Sequence, residues 1–196
     1  MLTRNTIRRF LRNHRGLAAV EFALILPIML MLFLGTVELS LALTARADVT
    51  NLTSATADLV AQETGVNVAD LQSVFAAASA ILYPYASNAA QITLTSVVYN
   101  TTNANPNIGT VAWSKPNGTN ALTHNKGANF TVPAGIFVAP TAANPNPPAT
   151  QSVIVSEVTY TYSSPVTEFL PVSTVWQNTF YSKPRRVPMI ACSDCN

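Results

Sequence analysis

Histidine, cysteine and charge are all scarce in this sequence. Its 196 residues include two histidines, His14 and His124, and two cysteines, Cys192 and Cys195. A zinc site needs four suitably spaced ligands, and a nucleophile needs a base beside it. With His14 near the start and His124 in a polar tract, no His pair, His–carboxylate pair or metal set can be assembled. No metal or other cofactor is therefore expected. The seven glycines form neither a phosphate-cradling loop nor a dinucleotide fingerprint, which argues against a nucleotide or other small-molecule substrate. Catalysis finds no support. Charged residues make up only 10% of the chain, against 48% hydrophobic, where soluble domains carry about 25% charged residues. A net charge of +2 with no basic stripe along the body of the chain suggests no nucleic-acid partner.

What the sequence has instead is one long apolar run. Phe22 to Val37 holds no charge, and Leu17 to Leu43 holds only Glu21 and Glu38. At about 1.5 Å per residue the longer run reaches roughly 40 Å, enough to cross a hydrocarbon core of about 30 Å with tilt. Arg4, Arg8, Arg9, Arg12 and Arg15 all precede it, while Arg46 behind it is answered by Asp48. The positive-inside rule keeps the basic end cytoplasmic and sends the chain after about residue 44 across the membrane. The expected division is a basic leader over 1–16, a transmembrane helix over 17–43 and an extracytoplasmic α+β domain over 44–196.

A carboxylate costs about 2.5 to 3.5 kcal/mol at a bilayer centre and less near the interface, so Glu21 calls for a reason. The stretch Gly16-Leu17-Ala18-Ala19-Val20-Glu21-Phe22 resembles the processing site of type IV pilin-like proteins. It is most similar to that of TadE-like pseudopilins of the tight-adherence (Tad/Flp) pilus system. The resemblance implies that an inner-membrane prepilin peptidase cuts between Gly16 and Leu17, leaving Glu21 as the fifth residue of the mature chain. It also implies a subunit of a fibre or of its assembly platform, with the membrane, the peptidase, other pilin-like subunits and the assembly machinery as partners. Phe22 stands where major pilins of the system tend to have Tyr, a departure that bears on the subunit class. The physical logic stands beside the resemblance. Cleavage exposes an amino group on Leu17 one helical turn from Glu21, and the pair neutralises a charge that lipid penalises. Removing five Arg also leaves six basic against nine acidic residues, about −3.

Two other readings of the same segment remain. One is an uncleaved single-pass anchor whose outer domain binds an envelope partner or surface. The other is a secretory signal peptide cut near Ala45-Arg46-Ala47, although the apolar run exceeds the usual 7 to 15 residue core. Pro27 and Gly35 interrupt the span, and Glu38 reads as a solvated helix end at the outer interface.

Beyond the span, Val49, Leu52, Thr56, Leu59 and Val60 recur at helical spacing, so the helix is expected to emerge as a stalk that Gly65 ends. A second helix is expected from Val68 to Leu82, capped by Asn67 with Asp70 three residues on and stopped by Pro84. From Gln91 the period becomes two. Strands are expected at Gln91–Tyr99, Ile108–Ser114, Phe130–Val132, Ser152–Tyr162 and Thr174–Tyr181, joined by loops at 103–107, 115–127 and 133–150. The predicted fold class is α+β: a long transmembrane and stalk helix, a short helix and a small antiparallel sheet, the order found in pilin-like proteins. Four Asn-x-Thr tracts, beginning at Asn51, Asn100, Asn117 and Asn129, match glycosylation acceptors, and in so Asn- and Thr-rich a chain chance and turn chemistry explain them equally well.

The chain closes on Lys183-Pro184-Arg185-Arg186-Val187-Pro188 and then Cys192-Ser193-Asp194-Cys195. In an extracytoplasmic head the pair reads first as a small disulfide loop, with free or intermolecular thiols, a redox site or half a metal site as alternatives. The basic cluster reads as a solvated tail, or as a contact for an anionic lipid surface or acidic partner.

Overall fold

In the computed structural model the chain folds as a long helix carrying an α+β head, described over residues 16–102, 105–140, 148, 150–164 and 173–195. The arginine-rich leader with His14, and parts of the expected loops 103–107 and 133–150 that include Asn144-Pro145-Asn146, lie outside the described residues.

Helix α1 runs unbroken from Leu17 to Ala61, with Pro27 inside it. Ala45, Val49, Leu52, Thr53, Thr56, Ala57 and Val60 are buried along one stripe of its second half, the spacing of a helix laid on a core. The helix ends at Ala61 with Gln62 as its cap, four residues short of the expected stop. Gly65 instead opens strand β1, Gly65–Val66. Helix α2, Val68–Ile81, begins as the sequence suggests. The Asn67 side chain accepts the Asp70 N–H at 2.9 Å and the Asp70 carboxylate accepts the Asn67 N–H at 3.0 Å, a complete capping box.

Five strands follow: β2, Ala90–Tyr99; β3, Ile108–Asn117; β4, Asn129–Thr131; β5, Ser152–Ser163; and β6, Ser173–Ser182. They form one antiparallel sheet in the order β4-β3-β2-β5-β6. Each expected strand is present; β3 runs to Asn117, three residues into the stretch read as loop. The pleat divides the sheet cleanly. Ile92, Leu94, Ile154, Val158, Tyr160 and Tyr162 pack with α1 and α2 in the main core. On the opposite face Val97, Val153 and Val155 form a second core with Val132 and Phe137, so a connecting segment rather than a helix covers that side. Gly109 is required there, since a Cβ on it would lie 2.8 Å from the Val98 carbonyl oxygen and 3.0 Å from the Phe137 ring. Two pairs of buried hydroxyls satisfy each other, Thr56 of α1 with Ser156 at 2.8 Å and Thr95 with Ser114 at 2.9 Å, while the buried Ser96 hydroxyl has no partner among the described residues.

Strand β7, Ala191–Cys192, pairs in parallel with β1, an element absent from the expected list. It makes the end of the chain part of the head. The Arg185 N–H donates to the terminal Ala61 carbonyl of α1 at 3.0 Å, and the buried Trp113 indole donates to the Ile190 carbonyl at 2.8 Å. Arg185 also pairs with Asp58 on α1. The basic cluster is therefore not the free tail expected from its composition. Its backbone closes the far end of α1, while Lys183 and Arg186 remain exposed.

Candidate functional site

The first half of α1 is the unpaired surface of the molecule. Its most apolar window carries no buried residue, and the helix is long and apolar enough to cross a membrane. Leu17, Val20 and Phe22 are each 58% exposed and Met31 is 73% exposed. So much continuous apolar surface is a membrane or protein interface, because water does not tolerate a patch of this size. Gly16 stands immediately before the first helical residue, with nothing within 4 Å of where a Cβ would be. Glu21 is exposed one turn into the helix, and no ion pair reaches it among the described residues. Gly16, Leu17, Glu21 and Phe22 are thus brought together by α1 alone.

The junction between span and head differs from the expectation. Glu38 is 5% exposed and is not a solvated helix end. Tyr162 Oη donates to its Oε1 at 2.8 Å and Ser164 Oγ donates to its Oε2 at 2.7 Å. Both donors come from the end of β5, so the sheet reaches down α1 and closes over the carboxylate. No cation faces it among the described residues, and the hydroxyl donors are what keep it satisfied. Burial pushes the Tyr162 hydroxyl well above its ordinary value, and the hydrogen bond to Glu38 and that residue's charge push it further the same way. Trp176 of β6 stacks on Tyr162 at 5.1 Å and on Tyr160 at 6.1 Å, which walls off the site. Sequence reading missed this cluster; the signal that could have found it was the cost of an unexplained acid at the end of an apolar helix.

His124 also departs from its expectation, since a His–carboxylate pair does form. Its Nε2 lies 2.5 Å from Glu157 Oε2, and its ring meets Phe130 edge-on at 5.0 Å. The neighbouring Leu122 carbonyl accepts from Thr93 Oγ1 at 2.6 Å, so these bonds pin the β3–β4 connection to the sheet's outer face. Among the described residues no Ser, Thr or Cys side chain bonds to His124, and the pair works as a clamp.

At the far end of the head the structure joins Cys192 to Cys195, with Cα atoms 5.5 Å apart. The loop so closed holds Asp194 against the start of α2, where its carboxylate accepts the Val68 N–H at 2.7 Å. An acid there complements the helix dipole. Cys195 is buried beside Ile190 in the main core.

The family of TadE-like proteins matches residues 16–58, the stretch from the glycine before α1 to the buried part of its stalk. No match was found among curated proteins or solved structures. The match covers the exposed half of α1 and most of its buried half, and none of the β-rich head.

Proposed function

We propose, from the similarity of residues 16–58 to TadE-like proteins, that this chain is a prepilin-like minor subunit serving assembly of a Tad/Flp-type pilus. The chain inserts with its arginine leader on the cytoplasmic side, and a prepilin peptidase cuts between Gly16 and Leu17. The new Leu17 ammonium then lies one turn from Glu21, and apolar association of α1 with neighbouring pilin-like helices places that pair in a bundle. The role is structural rather than enzymatic. The observation that carries this reading is that the family match over 16–58 falls on α1, whose most apolar window carries no buried residue.

Gel mobility tests the cut. The protein from a host with an active pilus system should run sixteen residues short of the full chain, and a bulky substitution at Gly16 should abolish that shift. Identical mobility of wild type and variant would favour the uncleaved single-pass anchor. Glu21→Ala tests the pairing. The variant should still insert and be processed, but its recovery in sheared fibres or in cross-links to other pilin-like subunits should fall; unchanged recovery would remove Glu21 from assembly.

A further inference from the structure

The charges of this chain leave one part of the head bare. From Leu71 to Ser114 there is no Asp, Glu, Lys or Arg. The turn after α2 lies within that stretch and returns to the membrane helix, where Tyr85 Oη donates to the Leu41 carbonyl at 3.2 Å. Its neighbour Tyr83 is 83% exposed, more than any large apolar residue of the span itself. The end of β5 comes down beside it, carrying Tyr162 and Ser164 to Glu38. The base of the head therefore meets α1 between Glu38 and Leu41. At that same level Leu39 and Leu43, on other sides of the helix, stay 60% and 58% exposed.

The length of the helix sets the depth of this level. Leu17 to Val37 spans about 30 Å, one full hydrocarbon thickness. With that segment in the bilayer, Glu38 falls at the hydrocarbon boundary, and Leu41, Tyr85 and Tyr83 fall in the headgroup layer. Tyrosines favour that layer, since the ring is apolar and the hydroxyl stays wet. The Tyr83–Tyr85 turn is continuous with the membrane-spanning surface, aromatic and without a charge of its own, and the charge that reaches Tyr85 is the acidic Asp48 of α1.

We propose that the head rests directly on the bilayer that α1 crosses, with the Tyr83–Tyr85 turn inserted among phospholipid headgroups as a foot beside the helix. The foot and the hydroxyl-lined end of β5 together shield Glu38 from lipid. Because the Tyr83–Tyr85 turn carries no basic residue, the contact works by aromatic insertion and requires no anionic lipid. The basic residues Lys183 and Arg186 flank Arg185, which sits at Asp58 and Ala61 about 30 Å further along α1, and they take no part in it.

The test uses the full chain, one copy per phosphatidylcholine nanodisc, with a spin label on Tyr83→Cys and, separately, on Thr101→Cys in the exposed turn after β2 at the opposite end of the sheet. Relaxation by oxygen, which concentrates in lipid, is compared with relaxation by a water-soluble nickel chelate. The ratio should invert between the sites: oxygen dominant at 83, nickel dominant at 101, and unchanged when anionic lipid is added. Equal nickel access at both sites would overturn the proposal. So would shielding from both reagents at 83, which means protein covers the foot, or lipid contact that appears only with anionic lipid. Tyr83 is exposed, so its replacement leaves the core intact. Cleaved and uncleaved chains should agree, which separates this outcome from the processing and assembly reading above.

Discussion

Glu21 and Glu38 are the same residue type on the same helix, yet one is bare and the other enclosed. Glu21 is exposed with no ion pair among the described residues, so under the proposed function its effect belongs to assembly. Glu38 has the head around it, so its effect belongs to stability. Replacing Glu38 by Ala strands the Tyr162 hydroxyl in a buried site, and an unsatisfied donor costs about 1 to 3 kcal/mol. Denaturant unfolding of the head should show a loss of that order for Glu38→Ala and a smaller one for Glu38→Gln, which keeps an acceptor. Equal stability of all three chains would mean that the carboxylate holds nothing. The Tyr162 hydroxyl adds a dependence on pH. Its folded pKa is raised by burial first and by Glu38 second, so the neutral form is favoured in the fold. That stability is complete below the unfolded value near 10 and is lost as pH rises beyond it. Tyr160 and Tyr181, raised mainly by burial, add in the same direction. The head should therefore lose stability above about pH 10, and more steeply than Tyr162→Phe. The enclosure of Glu38 was not legible from sequence, because its partners lie 124 and 126 residues away. What was legible was that an acid in such a place needs a reason.

Among the elements, α1, α2 and the five strands of the main sheet could all be read from period, caps and turn residues. Each is a local pattern at least three residues long, and Asn67 with Asp70 specifies its own helix start. The β1–β7 pair could not be read, since two strands of two residues carry no periodicity and meet only through tertiary contact. Composition also misled at the end of the chain, where a Pro- and Arg-rich tract that resembles a solvated tail closes the end of α1. The Cys192–Cys195 loop spans few residues, and chain entropy assigns such a ring about 2 kcal/mol. Replacing both cysteines with serine should lower the unfolding free energy by about that amount and raise hydrogen exchange at the first turn of α2, where Asp194 caps Val68. Alkylation of the native protein should label neither thiol before reduction; labelling without reductant would mean that the pair is open. At the sheet, Gly109→Ala should destabilise the second core by pressing a methyl group toward the Val98 carbonyl and Phe137, as read from the unfolding midpoint.

The whole molecule is a membrane-capable helix whose upper half is a structural strut of the head. The two halves of the helix differ in the structure as their composition differs in the sequence: apolar residues are exposed through the first half, and one stripe is buried in the second. The similarity to TadE-like proteins follows the same helix through most of its buried half and stops before the β-rich part of the head, which is understood through its own contacts. Those contacts tie the head to α1 from Glu38 at the bottom to Ala61 at the top, so a neighbour that grips the helix also orients the sheet. The account turns on whether the chain is cut where that helix begins. Sequencing the amino terminus of the protein isolated from its own membranes, in cells assembling the fibre, decides the point. The account predicts Leu17 as the first residue with Glu21 as the fifth, and a mature protein that still begins at Met1 would contradict it.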